Sequence, residues 1–477
     1  MRIGFSVPDG GSVPSGIDLL GFAFVVGLML YFARRPAVRA EEYLVADRSL
    51  GLFPLVATLV MTEFNTSTLM AFSGAGYRAG PMALSLPLVF LIGLGFYTLT
   101  VAREWKRFDR LSVAELFAAR YSPAFGRLAS VLLISAMIGF SATYLKSLTL
   151  LLTPWTGPLD PWLVSASLGF VTLLVVLRGG LIAVVRTDVA GFLLTLGLVG
   201  ALFVIAKSGA AEVAPFPALQ QTVNPIAQWN HEALPFRFVT SLIVLTCFTY
   251  ITAPWYGQKI FAAKSERIAV TGVAIAAVLV FTLYGLMVLA AAGFRSQGGV
   301  IANPEMVIPA MVTAWLPIGL QGVAFGVLFV ASLTTLSGTW SAMTAMVAGD
   351  FGWARAGSLI VQRRLTVGFA VICWFAANLL GDGILDRLIL ANIPVAALSF
   401  ALLAGFHWKR ATTTAAWASA VVGVAWGVGC YVVVGEQGGY TWPWAMYGIP
   451  LIFATGALVS IGAGMRSSNA TAGLSAD

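Results

Sequence analysis

Charged residues are scarce along this chain of 477 residues. Asp, Glu, Lys and Arg make up 10% of it and hydrophobic residues 59%, whereas a soluble domain carries roughly 25% charged residues. That shortage excludes a soluble globular protein. Apolar runs of about 20 residues recur from end to end, and each can cross a hydrocarbon core of roughly 30 Å. The pattern predicts an all-α polytopic membrane protein, a single transmembrane domain over residues 1–477.

Histidine and cysteine are also rare. The two histidines, His231 and His407, are far apart, and Cys247, Cys373 and Cys430 lie in separate apolar runs. This spacing makes a histidine metal cluster very improbable and gives no sign of a disulfide framework or a zinc site. The sequence contains no nucleophile–base or metal constellation, so we expect neither an enzyme nor a bound cofactor.

The net charge of +8 is better explained by membrane topology than by nucleic-acid binding, because the basic residues concentrate in alternate loops. Loops after odd-numbered spans hold most of them, including Arg34 and Arg35 after the first span and Lys259, Lys264 and Arg267 after the seventh. The positive-inside rule therefore predicts an external N-terminus and a cytoplasmic C-terminus. We expect the inner (cytoplasmic) membrane.

The apolar runs predict about thirteen spans. They lie near 17–34, 50–73, 81–102, 126–153, 160–177, 181–206, 236–257, 268–294, 318–346, 361–381, 384–406, 412–434 and 443–464. The first is too long for a cleavable signal peptide, so we expect a retained peripheral helix. Only "RGG" at 178–180 separates the fifth span from the sixth. The polar segment 465–477 is expected to be a disordered tail.

The second span has a polar centre. "TEFNTST" at 62–68 contains the carboxylate of Glu63 and is followed by Gly74 and Gly76. A charge at mid-span costs roughly 2.5–3.5 kcal/mol, so Glu63 should face the interior of the bundle. Non-helical backbone persists at this depth only inside protein or beside a cavity. We expect a broken helix here; a continuous helix with one polar face is the alternative.

The seventh span, within 244–265, is interrupted by Pro254, which either breaks the helix or only kinks it. Five spans separate the two interruptions, and an odd number inverts the second set in the membrane. Paired broken spans in two halves are typical of a transporter's central site. We therefore predict a five-plus-five inverted-repeat core, with repeats at 50–206 and 236–406 and two C-terminal helices at 412–464.

Two further features could serve a bound ion or solute. "LFVASLTTLSGTWSAMTAM" at 328–346 places small residues and hydroxyls on nearby helical faces. Such a face suits either close helix packing or, beside freed carbonyls, an alkali cation. Lys146 in the fourth span could pair with Glu63, meet a substrate carboxylate, fill a cation-like position, or extend to the outer surface.

Five stretches occur in a characteristic order. They are "EEYLVADRSLG" at 41–51, "SGAGY" at 73–77, "RGGLIAVVRTDV" at 178–189, "APWYGQKIFAAKSERIA" at 253–269 and "LFVASLTTLSGTWSAMTAMVAGDF" at 328–351. In this order and spacing they resemble the sodium:solute symporter family, which has an inverted-repeat, LeuT-like fold. The family includes sodium/proline, sodium/sugar and sodium/sialic acid transporters.

The resemblance implies a sodium site between the second and ninth spans. Its ligands would be the carbonyls of Met61, Phe64 and Ala331 and the hydroxyls of Thr334 and Thr335. Asp188 matches an aspartate on the sodium path to the cytoplasm, and Tyr250 and Pro254 match the substrate and gating region. Asn65 and Thr68 would line the substrate side, next to Glu63.

This chain also departs from its relatives. Glu63 stands where several of them carry Asn or Asp, and Ala190 replaces a usual Gln. Thr246 replaces a tryptophan of the proline-transporting branch, and Ser67-Thr68 replaces the acidic–amide pair of the sugar branch. Neither proline nor a sugar is favoured as the solute.

Together these features predict a sodium-coupled secondary symporter that imports a small polar solute by alternating access. Its partners would be sodium, the lipid bilayer and a solute for which a carboxylate-bearing metabolite is one candidate. Proton coupling through Glu63 is the first alternative. A transporter-like membrane sensor is the second; sensors of that kind usually carry a signalling domain, and only a short polar tail follows the last span.

Overall fold

The protein is described from a computed structural model over residues 14–157, 159–210, 234–351, 358–379 and 384–473. Within these residues the regular secondary structure is helical, apart from one isolated β-bridge between Leu50 and Ala263. The predicted all-α fold class is confirmed for this part of the chain.

The helices of the first half begin with the peripheral helix α1 and end with the long helix α10. They are α1 (Gly16–Phe32), α2 (Ala40–Val45), α3 (Leu52–Glu63), α4 (Thr66–Ala79), α5 (Ser85–Thr100), α6 (Ala102–Phe108), α7 (Ala114–Arg120), α8 (Pro123–Leu151), α9 (Thr153–Thr156) and α10 (Pro161–Ala210).

The second half continues with the broken pair α11 and α12. Its helices are α11 (Phe236–Tyr250), α12 (Pro254–Ala262), α13 (Glu266–Ser296), α14 (Val307–Trp315), α15 (Leu320–Asp350), α16 (Leu359–Leu379), α17 (Ile384–Leu390), α18 (Ile393–Ala397), α19 (Ser399–His407), α20 (Thr413–Val434), α21 (Thr441–Pro443) and α22 (Ile449–Gly473).

Nine helical runs among the described residues are long and apolar enough to cross a membrane, and the bent pair α11 and α12 makes a tenth. The helices α1 and α3 are apolar but shorter. This is the architecture of a multi-pass membrane protein. The number is below thirteen partly because Thr66–Thr100 and Pro161–Ser208 each contain residues from two predicted spans.

The kink in α10 lies at Gly180, within the "RGG" sequence. Gly180 has a φ of +55° and a ψ of −139° inside an otherwise helical run. A Cβ at this position would lie 2.3 Å from the carbonyl oxygen of Tyr43. Only glycine tolerates both this backbone conformation and the close approach of α2. Two helical segments therefore meet at Gly180, the position predicted to separate the fifth span from the sixth.

Helix α15 is the most enclosed of the candidate spans in the described chain, with 83% of its apolar window buried. It packs against α1, α8 and α10. Small residues allow these close contacts: a Cβ at Gly326 would lie 2.9 Å from Val25. The hydroxyl-rich face predicted for the ninth span thus lies inside the bundle.

Both predicted interruptions are present. The predicted second span is broken between α3 and α4, at Phe64 and Asn65, and the predicted seventh span bends by 49° between α11 and α12. The β-bridge holds the start of the first broken span beside the end of the second. In this bridge the Leu50 N–H donates to Ala262 O at 2.9 Å, and the Lys264 N–H donates to Leu50 O at 2.9 Å.

The last helix is longer than expected. Helix α22 continues to Gly473, so it extends into the segment 465–477 that was predicted to be a disordered tail. Residues 474–477 lie outside the described part of the chain.

Candidate cation and solute sites

The break between α3 and α4 redirects three backbone N–H groups. The Asn65 N–H donates to the Tyr284 hydroxyl at 3.2 Å and to Glu63 O at 3.0 Å. The Thr66 N–H donates to Ser332 Oγ at 2.9 Å, and the Thr68 N–H to Asn65 Oδ1 at 3.0 Å. In a continuous helix these three groups would bind the carbonyls of residues 61, 62 and 64. The break therefore frees carbonyl oxygens in the middle of the bundle.

Four of the five predicted sodium ligands meet at this break. The Thr335 hydroxyl donates to Met61 O at 2.9 Å and to Ala331 O at 3.0 Å. The Thr334 hydroxyl lies 3.2 Å from Ala331 O. All four residues are at most 2% exposed. Unwound carbonyls beside hydroxyls are the ligands that broken transporter helices offer to sodium.

Phe64, the fifth predicted ligand, forms the break itself. Its φ of −79° and ψ of 88° end α3, and its ring stacks on Tyr284 with centroids 4.9 Å apart. The Tyr284 hydroxyl in turn donates to Glu63 O at 2.5 Å. Tyr284 on α13 therefore fixes the broken segment from outside the two helices that carry the predicted ligands.

A cluster of hydroxyls anchors the start of α4. The Thr66 hydroxyl bonds to Ser332 and, at 2.9 Å, to Ser147. The Ser67 hydroxyl donates to Ser147 Oγ at 2.8 Å and to Thr143 O at 3.1 Å. Helices α8 and α15 thereby hold the half-helix in place. Sequence reasoning did not assign this role to Ser147 or Ser332, although Ser332 belongs to the hydroxyl-bearing stretch 328–346.

Asp188 lies next to α3, within interaction range of the Thr334 side chain, and pairs with a lysine. The Lys259 ammonium is 3.2 Å from Asp188 Oδ2 and donates to Thr58 O at 2.9 Å and to the Thr62 hydroxyl. The Thr58 hydroxyl bonds to the same carboxylate oxygen. Lys259 and Asp188 are 1% and 0% exposed. The assignment of Lys259 to a cytoplasmic loop is therefore wrong, because α12 carries its side chain into the bundle.

The side chain of Glu63 lines a cavity. Tyr250 donates its hydroxyl to Glu63 Oε2, and Oε1 is buried with no hydrogen-bond partner among the described residues. The cavity has an empty volume of about 750 Å³ with its open mouth included. Asn65, Thr68 and Tyr250 line it together with Glu63.

Two other predicted substrate or gating residues lie outside this lining. Pro254 is buried at the first turn of α12, next to Trp255, which does line the cavity. Lys146 is partly buried on α8 and is not among the lining residues. The structure thus brings Glu63, Asn65, Thr68 and Tyr250 together and leaves Lys146 apart from them.

At the break between α11 and α12, hydrogen bonds connect the chain to neighbouring helices. The Trp105 indole N–H donates to Ile251 O at 2.9 Å. The Thr252 hydroxyl lies 3.0 Å from Thr249 O and 3.1 Å from Val395 O. These contacts connect the second break to α6 and α18.

Aromatic residues from distant parts of the chain also line the cavity. Phe90, Phe140 and Tyr144 come from α5 and α8, and Trp444 comes from the C-terminal region. Trp444 begins a five-residue π-helical turn, Trp444–Gly448. Such turns often occur at functional sites. Sequence reasoning missed Trp444 because it lies outside both predicted repeats.

Known proteins with similar sequences are sodium symporters. The chain is 24% identical over 429 residues to the sodium/pantothenate symporter of Escherichia coli, covering 85% of this chain and 88% of that protein. It is 24% identical over 471 residues to the sodium/glucose cotransporter of Vibrio parahaemolyticus, covering 86% of this chain and 83% of that protein.

A solved structure shows the same fold. It is a substrate-bound, outward-open state of a Na⁺-coupled sialic acid symporter, with a TM-score of 0.75 and 17% sequence identity over 94% of this chain and 98% of that one. The family model described as the Sodium:solute symporter family matches residues 43–423. The chain is therefore a transporter rather than an enzyme, and it belongs to the sodium:solute symporter family.

Proposed function

We propose that this protein imports a small polar solute together with sodium, by alternating access in the inner membrane. The observation that carries the proposal is the cluster of Met61 O, Ala331 O and the hydroxyls of Thr334 and Thr335, which joins α3 to α15. Sodium would bind there, with Phe64 O as a further ligand, and would stabilise the broken segment.

The proposed architecture has thirteen spans and two inverted repeats, 50–206 and 236–406, with the N-terminus outside and the C-terminus in the cytoplasm. The two helix breaks support it, because they occupy corresponding positions in the two halves. The bridge from Leu50 to Ala262 and Lys264 supports it too, since it links the start of one broken span to the end of the other.

Sodium binding and solute binding share one structural element, the break at Phe64 and Asn65. Met61 offers its carbonyl at the end of α3, and Glu63, Asn65 and Thr68 around the same break line the solute cavity. A sodium ion that orders the break therefore also orders the cavity wall. This is the coupling that symport requires, because each ligand then favours the same conformation.

Sodium would leave towards the cytoplasm past Asp188. Its carboxylate lies beside the Thr58 hydroxyl and the Lys259 ammonium. Inward movement of one positive charge through about 100 mV supplies about 2.3 kcal/mol. That energy corresponds to about a fortyfold ratio of solute concentrations, since 1.4 kcal/mol is tenfold.

Proton coupling is a second candidate because of one observation. Glu63 is buried at the break, with Tyr250 on one oxygen and no partner among the described residues on the other. Protonation of this carboxylate would change the charge of the cavity wall directly. A carboxylate-bearing solute, proposed from Lys146, gains no support from the cavity, since Lys146 does not line it.

Uptake into proteoliposomes tests the proposal. A panel of radiolabelled metabolites is offered under an inward sodium gradient, an inward proton gradient, and a potassium gradient as control. We expect accumulation of at least one solute under the sodium gradient alone. Uptake that follows the proton gradient and ignores sodium would contradict the sodium proposal. Glu63→Gln should then abolish the pH dependence if Glu63 carries the proton.

A further inference from the structure

The cavity wall has one acidic side chain and, among the described residues, no basic one. Of the described residues that line it, only Glu63 has an ionisable acidic or basic side chain of the Asp, Glu, Lys, Arg or His type. The other polar lining groups are hydroxyls and amides, such as Asn65, Thr68, Thr249 and Asn392. A solute with a carboxylate would meet an acid at this wall and no lysine or arginine among these residues.

The Glu63 carboxylate is only half satisfied. Its Oε2 accepts the Tyr250 hydroxyl, while Oε1 is buried without a hydrogen-bond partner among the described residues. Trp255 also lies within interaction range of the carboxylate. Glu63 is 3% exposed, so bulk water solvates it poorly. A buried carboxylate oxygen left in this state is costly unless the group binds a proton or a bound ligand supplies a donor or a positive charge.

The nearest buried cation does not fill that role. The Lys259 ammonium is bound to Asp188 Oδ2, Thr58 O and the Thr62 hydroxyl, and it does not line the cavity. The predicted sodium ligands are carbonyls and hydroxyls, so sodium would add its charge at the break without donating a hydrogen bond to Oε1. The Glu63 carboxylate thus remains the group that a solute must match.

Aromatic rings surround the same space. The Phe140 and Trp255 rings lie 5.0 Å apart, the Phe90 and Tyr250 rings 5.9 Å apart, and the Tyr250 and Trp255 rings 6.3 Å apart. All four line the cavity. Aromatic faces attract cations, most strongly alkylated ammonium groups, because such groups are easily desolvated. A carboxylate beside several aromatic faces is complementary to a compact organic cation.

We propose that the cavity selects a solute with a positively charged nitrogen, a substituted ammonium group, held between the Glu63 carboxylate and the rings of Tyr250, Trp255, Phe140 and Phe90. The hydroxyls and amides of the lining would bind a polar group at the other end of the solute. This inference rests on the proposed function, and it replaces a carboxylate with a cation as the recognised group.

Three probes of nearly equal shape test the inference: choline, its uncharged analogue with carbon in place of the quaternary nitrogen, and tert-butylacetate, which carries a carboxylate. Binding to the purified full-length protein is measured by titration calorimetry in sodium buffer, up to about 10 mM probe. We expect choline to bind about tenfold more tightly than the neutral analogue, and tert-butylacetate to bind most weakly.

Glu63→Gln should remove the preference for choline, while Glu266→Gln, whose side chain is 45% exposed and pairs with Arg107, should retain it. Equal binding of the neutral analogue, tighter binding of the carboxylate, or no binding of choline to the wild type would overturn the inference. An unchanged preference in Glu63→Gln would overturn it as well.

Thermal stability is also measured on the same samples with and without sodium, in the absence of any probe. If sodium stabilises the protein but choline is not preferred, the inference of a cationic solute is wrong while the proposed sodium symport is still supported. The same measurement shows whether Glu63→Gln is folded.

Discussion

The ammonium of Lys259 lies 3.2 Å from the carboxylate of Asp188, and the two side chains are 1% and 0% exposed. The pair joins three elements of the bundle. Lys259 belongs to α12 and Asp188 to α10, and the same ammonium binds Thr58 O on α3. Two of these elements, α3 and α12, are halves of the two broken spans. The pair therefore ties one half of each broken span to α10.

Removing one partner of this pair should destabilise the protein strongly. A buried charge without its partner costs about 3–5 kcal/mol, so Lys259→Met and Asp188→Asn should each lower the melting temperature clearly. The double variant should lose less than the sum of the two. Thermal unfolding of the detergent-purified protein measures all three. Lys264→Met, at an exposed position, is the matched control, and strictly additive losses would show that the pair is not coupled.

Asp18 should fasten α1 to the bundle. Its Oδ1 accepts the N–H groups of Gly319 at 2.7 Å and Gly322 at 3.0 Å, so a residue of one helix caps the N-terminus of another, α15. Losing a cap costs about 1 kcal/mol, and Asp18→Ala should lower stability by about that amount. Asp18→Asn should lose less, because its amide oxygen can still accept.

Gly322→Ala should lower the stability of the protein more than Asp18→Ala does. A Cβ there would lie 1.9 Å from Asp18 O, whereas a Cβ at Gly27 of α1 meets nothing within 4 Å. Gly27→Ala is therefore the control, and melting curves of the two variants should differ clearly. Similar curves would mean that α1 does not pack closely on α15.

The buried carboxyl group of Glu115 should make the stability of the protein depend on pH. Burial raises the pKa of its carboxyl group, although the N–H groups of Leu111 and Ser112, both at 3.1 Å, favour the charged form. A raised pKa means that the folded state binds the proton more tightly than the unfolded state. The contribution of Glu115 to stability should therefore be largest at low pH and be lost as the pH rises through its folded pKa.

Glu115→Gln tests this sign, because the glutamine oxygen can keep both backbone contacts. The variant should melt no lower than the wild type at about pH 8 and should fall behind it as the pH decreases towards about pH 5. Glu266→Gln, whose side chain is 45% exposed and pairs with Arg107, controls for the general effect of losing a surface carboxylate. A melting temperature of the variant that rises relative to the wild type as the pH falls would contradict this prediction.

Composition and two local interruptions were enough to predict much of this fold. Scarce charge predicted the membrane, and the polar run around Asn65 and the proline at 254 predicted the two helix breaks. These signals are local, since a residue that cannot continue a helix in lipid shows itself in the sequence. The meeting of Met61 with Thr335 was predicted only through the family resemblance, because no local pattern joins residues so far apart.

The rest depended on contacts that sequence patterns do not show. Lys259 lies close to Lys264 and Arg267, so it was grouped with loop charges, and only the direction of α12 turns it towards Asp188. Trp444 lies far along the chain from the rest of the cavity wall, in a π-helical turn that has no sequence signature here. Both are products of helix packing rather than of local sequence.

The most direct measurement is the melting temperature of the purified full-length protein in sodium and in potassium at equal ionic strength. A ligand that binds only the folded state stabilises it in proportion to the logarithm of its concentration. The wild type should melt higher in sodium, with a shift that grows with its concentration. Thr334→Ala combined with Thr335→Ala should lose that shift, whereas Thr313→Ala, whose hydroxyl bonds to Pro309 and Ala310 on its own helix, should keep it. Equal melting of the wild type in the two salts, or an unchanged sodium shift in the double variant, would contradict the sodium site.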